Sequence, residues 1–192
     1  GVMLIMAGIA GNLFYLSIPA LKGFGAGFFT TTDWNPVSGE FGAASFIYGT
    51  VISSFLALLL SVPVSVGVAL FLNELAPRRL AGAIGFLVEM LAAIPSVIYG
   101  LWGIFVLAPW LRTDVQPLLG KYLGVLPFFQ GPPYGVGMLA AGIILAIMIT
   151  PTISAICREV FRAIPLAQRE AALALGATRW EMMQISVLKA AR

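Results

Sequence analysis

The chain has 192 residues, 60% of them hydrophobic and only 10% charged, with a formal net charge of +3 and a mean hydropathy of +0.99. Charged residues make up about a quarter of an ordinary soluble domain, so the bilayer must be the main solvent here. Histidine is absent and Cys157 is the single cysteine, which excludes imidazole chemistry, disulfides and Cys/His metal sites within the chain.

Crossing about 30 Å of hydrocarbon takes roughly 20 apolar residues in a helix. Four segments qualify, at about 2–21, 44–72, 81–110 and 134–157. The first has no basic residue before Lys22; a secretory signal would carry a basic start, so a membrane span is expected instead. That span lacks an upstream flank and the sequence stops abruptly at Arg192, so residues 1–192 read as a fragment of one membrane domain. The second and third segments exceed the need and are expected to tilt or kink. Pro63, Pro95 and Pro151 fall inside spans two to four, which a membrane helix tolerates when neighbours satisfy the freed carbonyl.

Between the first two spans, residues 22–43 form a turn-rich cap in which Phe28, Phe29 and Trp34 suit the membrane interface. Residues 127–135, with Pro127, Gly131-Pro132-Pro133 and Gly135, predict a stiff turn. Loops 22–43 and 111–133 hold Lys22, Arg112 and Lys121, whereas 73–80 and 158–192 hold Arg78, Arg79, Arg158, Arg162, Arg169, Arg179, Lys189 and Arg192. Positive charge collects on the cytoplasmic side, which places the second pair of loops, and residue 1, at that face.

In the third segment Glu89 lies roughly 12 Å into the span at 1.5 Å per residue. It shares a helical face with Ala93, Ser96, Gly100 and Gly103. An ionisable group at such depth usually faces a cavity or a partner. The face reads either as a gate lining a pathway or as a packing seam with a satisfied Glu89. In the fourth, Thr150, Ser154, Cys157 and Phe161 share a face flanked by Arg158. Hydroxyls and a guanidinium suit an oxyanion, while the alternative is an Arg158 that snorkels to the interface and a Cys157 that only packs.

The last thirty residues are polar by comparison. Leu166 to Leu175 predicts a short helix with Pro165 at its first position and Gly176 as a left-handed stop. Thr178 and Glu181 have the spacing of a capping box, so a second helix starts there. Together they make a rigid, angled knob at the end of the fourth span.

Glu170-Ala171-Ala172 followed by Gly176 resembles the cytoplasmic Glu-Ala-Ala loop of ABC importer permeases. Asp33-Trp34-Asn35-Pro36, Gly39-Glu40-Phe41-Gly42, Ile47-Tyr48-Gly49-Thr50, the 73–79 segment Asn-Glu-Leu-Ala-Pro-Arg-Arg, the run from Phe86 to Trp102 and Arg158-Glu159-Val160-Phe161 narrow the likeness to the C-type permease of phosphate-specific importers. Where that family continues to Leu-Pro, this chain has Leu188-Lys189. The resemblance implies an all-α polytopic bundle of the type I importer class, incomplete here at its C-terminus by about two spans, in a bacterial inner membrane. It implies ATPase docking by Glu170, Ala171, Ala172 and Gly176. It also implies a charged pair for substrate movement at Arg158 and Glu159, so that the candidate pathway comprises Arg158, Glu159, Thr150, Ser154, Glu89 and Ser96. The partners it implies are a second permease subunit, a cytoplasmic ATPase dimer, an external phosphate-binding protein and lipid, with no nucleic acid and no cofactor. No Gly-rich Lys-Ser/Thr phosphate loop occurs, so ATP belongs to a different polypeptide. Competing readings are a non-transporting remnant or assembly scaffold, and a permease for another oxyanion; an intramembrane enzyme stands further off, since no His, Cys/His or paired-acid constellation lies within the spans.

Overall fold

The computed structural model describes residues 1–123 and 132–190, with the side chains of Arg78 and Leu123 left aside. Helices dominate it, and four stretches are long and apolar enough to cross a membrane: Val2–Phe29, Ala44–Leu75, Ser96–Tyr122 and Met138–Ala163. The chain divides into two compact units, residues 1–51 and 52–192.

The first unit holds α1 (Val2–Phe24), a short 3-10 turn at Gly25–Phe29 and a two-stranded antiparallel ribbon, β1 (Trp34–Asn35) and β2 (Glu40–Phe41), registered Trp34 to Phe41. None of the residues of α1 is buried, which an apolar helix sustains in lipid but not in water. The cap at 22–43 is organised by its aromatic rings. Trp34 meets Phe41 and Phe46 edge-on at 5.0 and 5.1 Å, and Phe24 meets Phe41 at 5.8 Å, within the range where such pairs attract. Asn35 accepts hydrogen bonds from the amides of Val37 and Ser38 and so makes the turn between the strands.

Helix α2 (Ala44–Leu70) continues through a wider π turn at Phe71–Leu75, and α7 (Met138–Ala163) is unbroken across Pro151 as α2 is across Pro63. The two run parallel. Ser65 donates to the Thr150 carbonyl at 3.1 Å, Ser154 donates back to the Ser65 carbonyl at 3.4 Å, and further along Ala69 and Leu70 cluster with Phe161 and Ile164. Small buried residues at four-residue spacing on α2, Ala57, Ser61, Ser65 and Ala69, allow this close approach.

Between them in sequence come α3 (Arg78–Ala92), α4 (Ser96–Trp102), α5 (Ala108–Trp110) and α6 (Gln116–Leu123), the last three joined by π segments at Gly103–Leu107 and Leu111–Val115. This long helix runs antiparallel to α7: Leu107 and Leu111 pack with Ala140 and Ile144, and Gln116 accepts from the Gly135 amide at 2.9 Å. The third span therefore corrects the expected range of 81–110. Pro95 forces the residue before it out of the helical region, so α3 ends at Ala92 and the spanning helix begins at Ser96. Pro95 has no amide for the Leu91 carbonyl, and the Tyr99 hydroxyl donates there instead at 2.9 Å. Residues 111–123, expected as an outer loop, are helical. Of the stiff turn expected at 127–135, positions 127–131 lie outside the described residues.

The chain past α7 folds as α8 (Leu166–Ala174), α9 (Arg179–Met182) and a π segment at Met183–Leu188. Met182, Met183 and Val187 pack on the ends of α2 and α7, with Ala69, Leu70, Phe161 and Ile164. The knob is thus seated on the bundle.

Candidate functional site

Two places bring together the residues singled out by sequence. The first is where α3 crosses the last turns of α7. Arg158 is 6% exposed, and its Nη1 donates to Glu89 Oε1 at 3.5 Å, while the Glu89 side chain is 61% exposed. The guanidinium lies over the backbone of α3 at Gly85, where an added Cβ would stand 2.5 Å from both terminal nitrogens. Gly85 and Glu89 are four residues apart, hence on one face. The resemblance maps a charged pair for substrate movement onto Arg158 and Glu159. The Glu159 side chain is exposed, and among the described residues Arg158 pairs with Glu89. The reason is geometric, because adjacent residues on a helix point about 100° apart.

At 3.5 Å the contact is long for a charge-assisted hydrogen bond, which closes to about 2.7–2.9 Å at full strength. Arg158 therefore keeps donor capacity for a second anion. Arg158 does not snorkel outward; it is folded under α3.

The remaining pathway candidates separate. Ser154 is fully buried and its hydroxyl belongs to the seam with α2; half-buried Thr150 donates back to the Ala146 carbonyl at 2.6 Å. The Ser154 hydroxyl thus joins α7 to α2, whereas the Thr150 hydroxyl is satisfied within its own helix. Ser96 is exposed at the start of α4, beyond the break, so it no longer shares a continuous helical face with Glu89. Cys157 is half-buried beside the cluster under the knob, a packing residue.

The second place is the knob. Gly176 has φ +88°, and the amides of Gly176 and Ala177 donate to the carbonyls of Leu173 and Ala172 at 3.0 and 3.2 Å. This is the paired closure that a left-handed glycine permits at a helix end. Pro165 precedes the helix as its cap rather than occupying its first turn. Thr178 and Glu181 form the full capping box: the Thr178 amide donates to Glu181 Oε2 at 2.7 Å and the Glu181 amide to Thr178 Oγ1 at 3.3 Å. Ser186 Oγ donates to the Gln168 carbonyl at 3.2 Å and ties the second arm back to the first.

Glu170, Ala171 and Gly176 are exposed, but Ala172 is not part of that surface; it is half-buried against the core cluster. In its place the exposed side carries Leu166, Leu173 and Leu175, the last 90% exposed.

The Thr178 amide and hydroxyl hold the Glu181 carboxyl below its ordinary value. A depressed carboxyl contributes its stabilisation above the unfolded value, about 4.3, and loses it as pH falls through the folded one. Amide protection of residues 180–183 is therefore expected to drop on acidification below the usual carboxylate range, and Glu181→Gln to lower protection already at neutral pH and flatten that dependence. Hydrogen exchange read by mass spectrometry checks both; an unchanged acid response in the Gln variant would remove the box from the account.

Residues 43–192 match the model of the family described as binding-protein-dependent transport system inner membrane component. The chain belongs to this family. It is 48% identical over 97% of its length to the phosphate transport system permease protein PstC of Mesorhizobium japonicum, covering 58% of that protein. It is also 46% identical over 97% to the PstC of Pasteurella multocida, covering 60%, and 46% identical over 94% to that of Xylella fastidiosa, covering 57%. The chain thus spans somewhat over half the length of these relatives. No solved structure matches it. With four apolar helices and this family, it is a multi-pass membrane protein.

Two features escaped sequence reasoning. Gly85 beneath Arg158 had a signal in its four-residue spacing from Glu89. The other is an ion pair between Glu74 and Arg169, 95 residues apart, for which no local signal exists.

Proposed function

We propose that this chain is part of the permease of an ATP-driven importer of inorganic phosphate in a bacterial inner membrane. The observation that carries the reading is the likeness, over nearly the whole chain, to permeases named for phosphate transport. ATP is hydrolysed on separate subunits that dock on the knob, a phosphate-loaded binding protein meets the outer loops, and a second permease completes the pathway. ATP-driven closure of the ATPase favours one orientation of the spans by differential binding. Arg158 then exchanges the single, long contact with Glu89 for two oxygens of the anion, which a planar guanidinium grips together.

Depleting this chain in its host is expected to abolish high-affinity uptake of labelled phosphate and leave sulfate uptake unchanged. Normal phosphate uptake with loss of another oxyanion would transfer the assignment to that anion, and no transport change at all would leave an assembly scaffold. The charge distribution adds a topological expectation. Single cysteines at Thr31 and Gln184, both exposed, in a Cys157→Ala background should label from outside and inside respectively with an impermeant thiol reagent. Outside labelling of Gln184 would overturn the orientation on which docking depends.

A further inference from the structure

We infer that Glu74 and Arg169 form a buried brace that carries movement of the knob into the second and fourth spans, as positioning residues for coupling. This rests on the reading that an ATPase docks on the knob. Arg169 stands on α8 directly before exposed Glu170 and Ala171, yet its side chain is only 14% exposed and turns toward the bundle. Its Nη2 donates to the Phe161 carbonyl at 2.6 Å and stands 3.1 Å from Glu74 Oε1 as an ion pair. Phe161 lies in the last turn of α7, where its carbonyl also accepts from the capping Ile164 amide at 3.4 Å and where a cation is favoured by the helix dipole. Glu74 lies in the π turn that ends the second span, its side chain 8% exposed, and Asn73 Nδ2 donates to the same oxygen at 3.3 Å. One guanidinium therefore joins three segments: the docking helix, the end of α7 and the end of α2.

Apolar contacts also join them, but those have no preferred direction and slide. A buried ion pair adds little net stability over an apolar pair of the same size, and removing one partner leaves an uncompensated charge. What it supplies is a fixed register between α8 and the spans. Arg169 Nε is buried and has no hydrogen-bond partner among the described residues. Glu74 can therefore move along the guanidinium edge, from Nη2 toward Nε, without losing its charge partner. A joint that must hold through two orientations needs that freedom.

The test uses the complete transporter, assembled with its ATPase, and measures phosphate moved per ATP hydrolysed. Glu74→Gln keeps shape and removes charge; Arg169→Lys keeps charge and removes the planar fork. Both should retain ATPase capture, because the exposed docking surface is unchanged, while phosphate per ATP falls about tenfold, within the usual range of coupling between sites. The exchanged pair Glu74→Arg with Arg169→Glu should recover a substantial part of what Glu74→Arg alone loses. A purely structural role would lower the amount of active complex but leave the ratio for each surviving complex unchanged. An unchanged ratio in Glu74→Gln and Arg169→Lys overturns the brace alone. Failure of the unaltered chain to capture the ATPase would overturn the docking reading, and the brace with it.

Discussion

Gly176→Val is expected to release the ATPase from the membrane subunit and to abolish phosphate uptake, while membrane insertion stays normal. The glycine sits at φ +88° with open space where a Cβ would go, so the effect comes from the backbone and not from a clash. A β-branched residue in the left-handed region costs about 1–2 kcal/mol, and relaxing out of it breaks the two closing bonds to Leu173 and Ala172. The second arm then leaves α8 in a different direction. A companion variant should act on the surface instead of the backbone. Ala172→Trp would not serve, because Ala172 packs inward on the core cluster; exposed Ala171→Trp fills the outer side of α8 and leaves the knob folded. Both should reduce ATPase co-purification, and wherever some ATPase remains bound, hydrolysis should no longer drive uptake. Normal capture and uptake in both would show that this segment is not the coupling element.

Arg158→Gln is the second large effect expected. Two charge-assisted hydrogen bonds to a phosphate would be lost, each worth about 1.5–3 kcal/mol, so uptake should fall by about a hundredfold or more. The fold should tolerate the change, since the abandoned partner Glu89 is 61% exposed and can be hydrated where it stands. Arg158→Lys keeps the charge but not the bidentate fork and should fall between the two. Glu89→Gln separates the gate from the seam. If Glu89 competes with phosphate for the guanidinium, the neutral variant should bind phosphate more readily and release it more slowly, altering transport without loss of complex. Full uptake in Arg158→Gln would leave the guanidinium only its packing against Gly85 and α3.

The features legible in the sequence are those whose physics is short-ranged. Thr178 and Glu181 cap one helix because the donor and acceptor lie three residues apart, and Gly176 ends another because no other residue enters that backbone region so cheaply. Three of the four spans likewise follow from runs of apolar residues, since each span must satisfy its own backbone in lipid. The prolines mark the limit of local reading. Pro63 and Pro151 lie within continuous helices, yet Pro95 ends one, with Tyr99 supplying the donor that proline lacks; the neighbours decide, and they are not in the local sequence. Charge pairing was beyond reach for the same reason. Nothing near Arg158 selects Glu89 over Glu159, nothing near Arg169 selects Glu74, and Ser154 could have faced a passage as well as the seam it shares with Ser65. Residue type and spacing determined which groups were available and which helices formed; only the crossing of α3 over α7 and the seating of the knob on α2 decided which groups meet, because those contacts join segments that packing, not the chain, brings together.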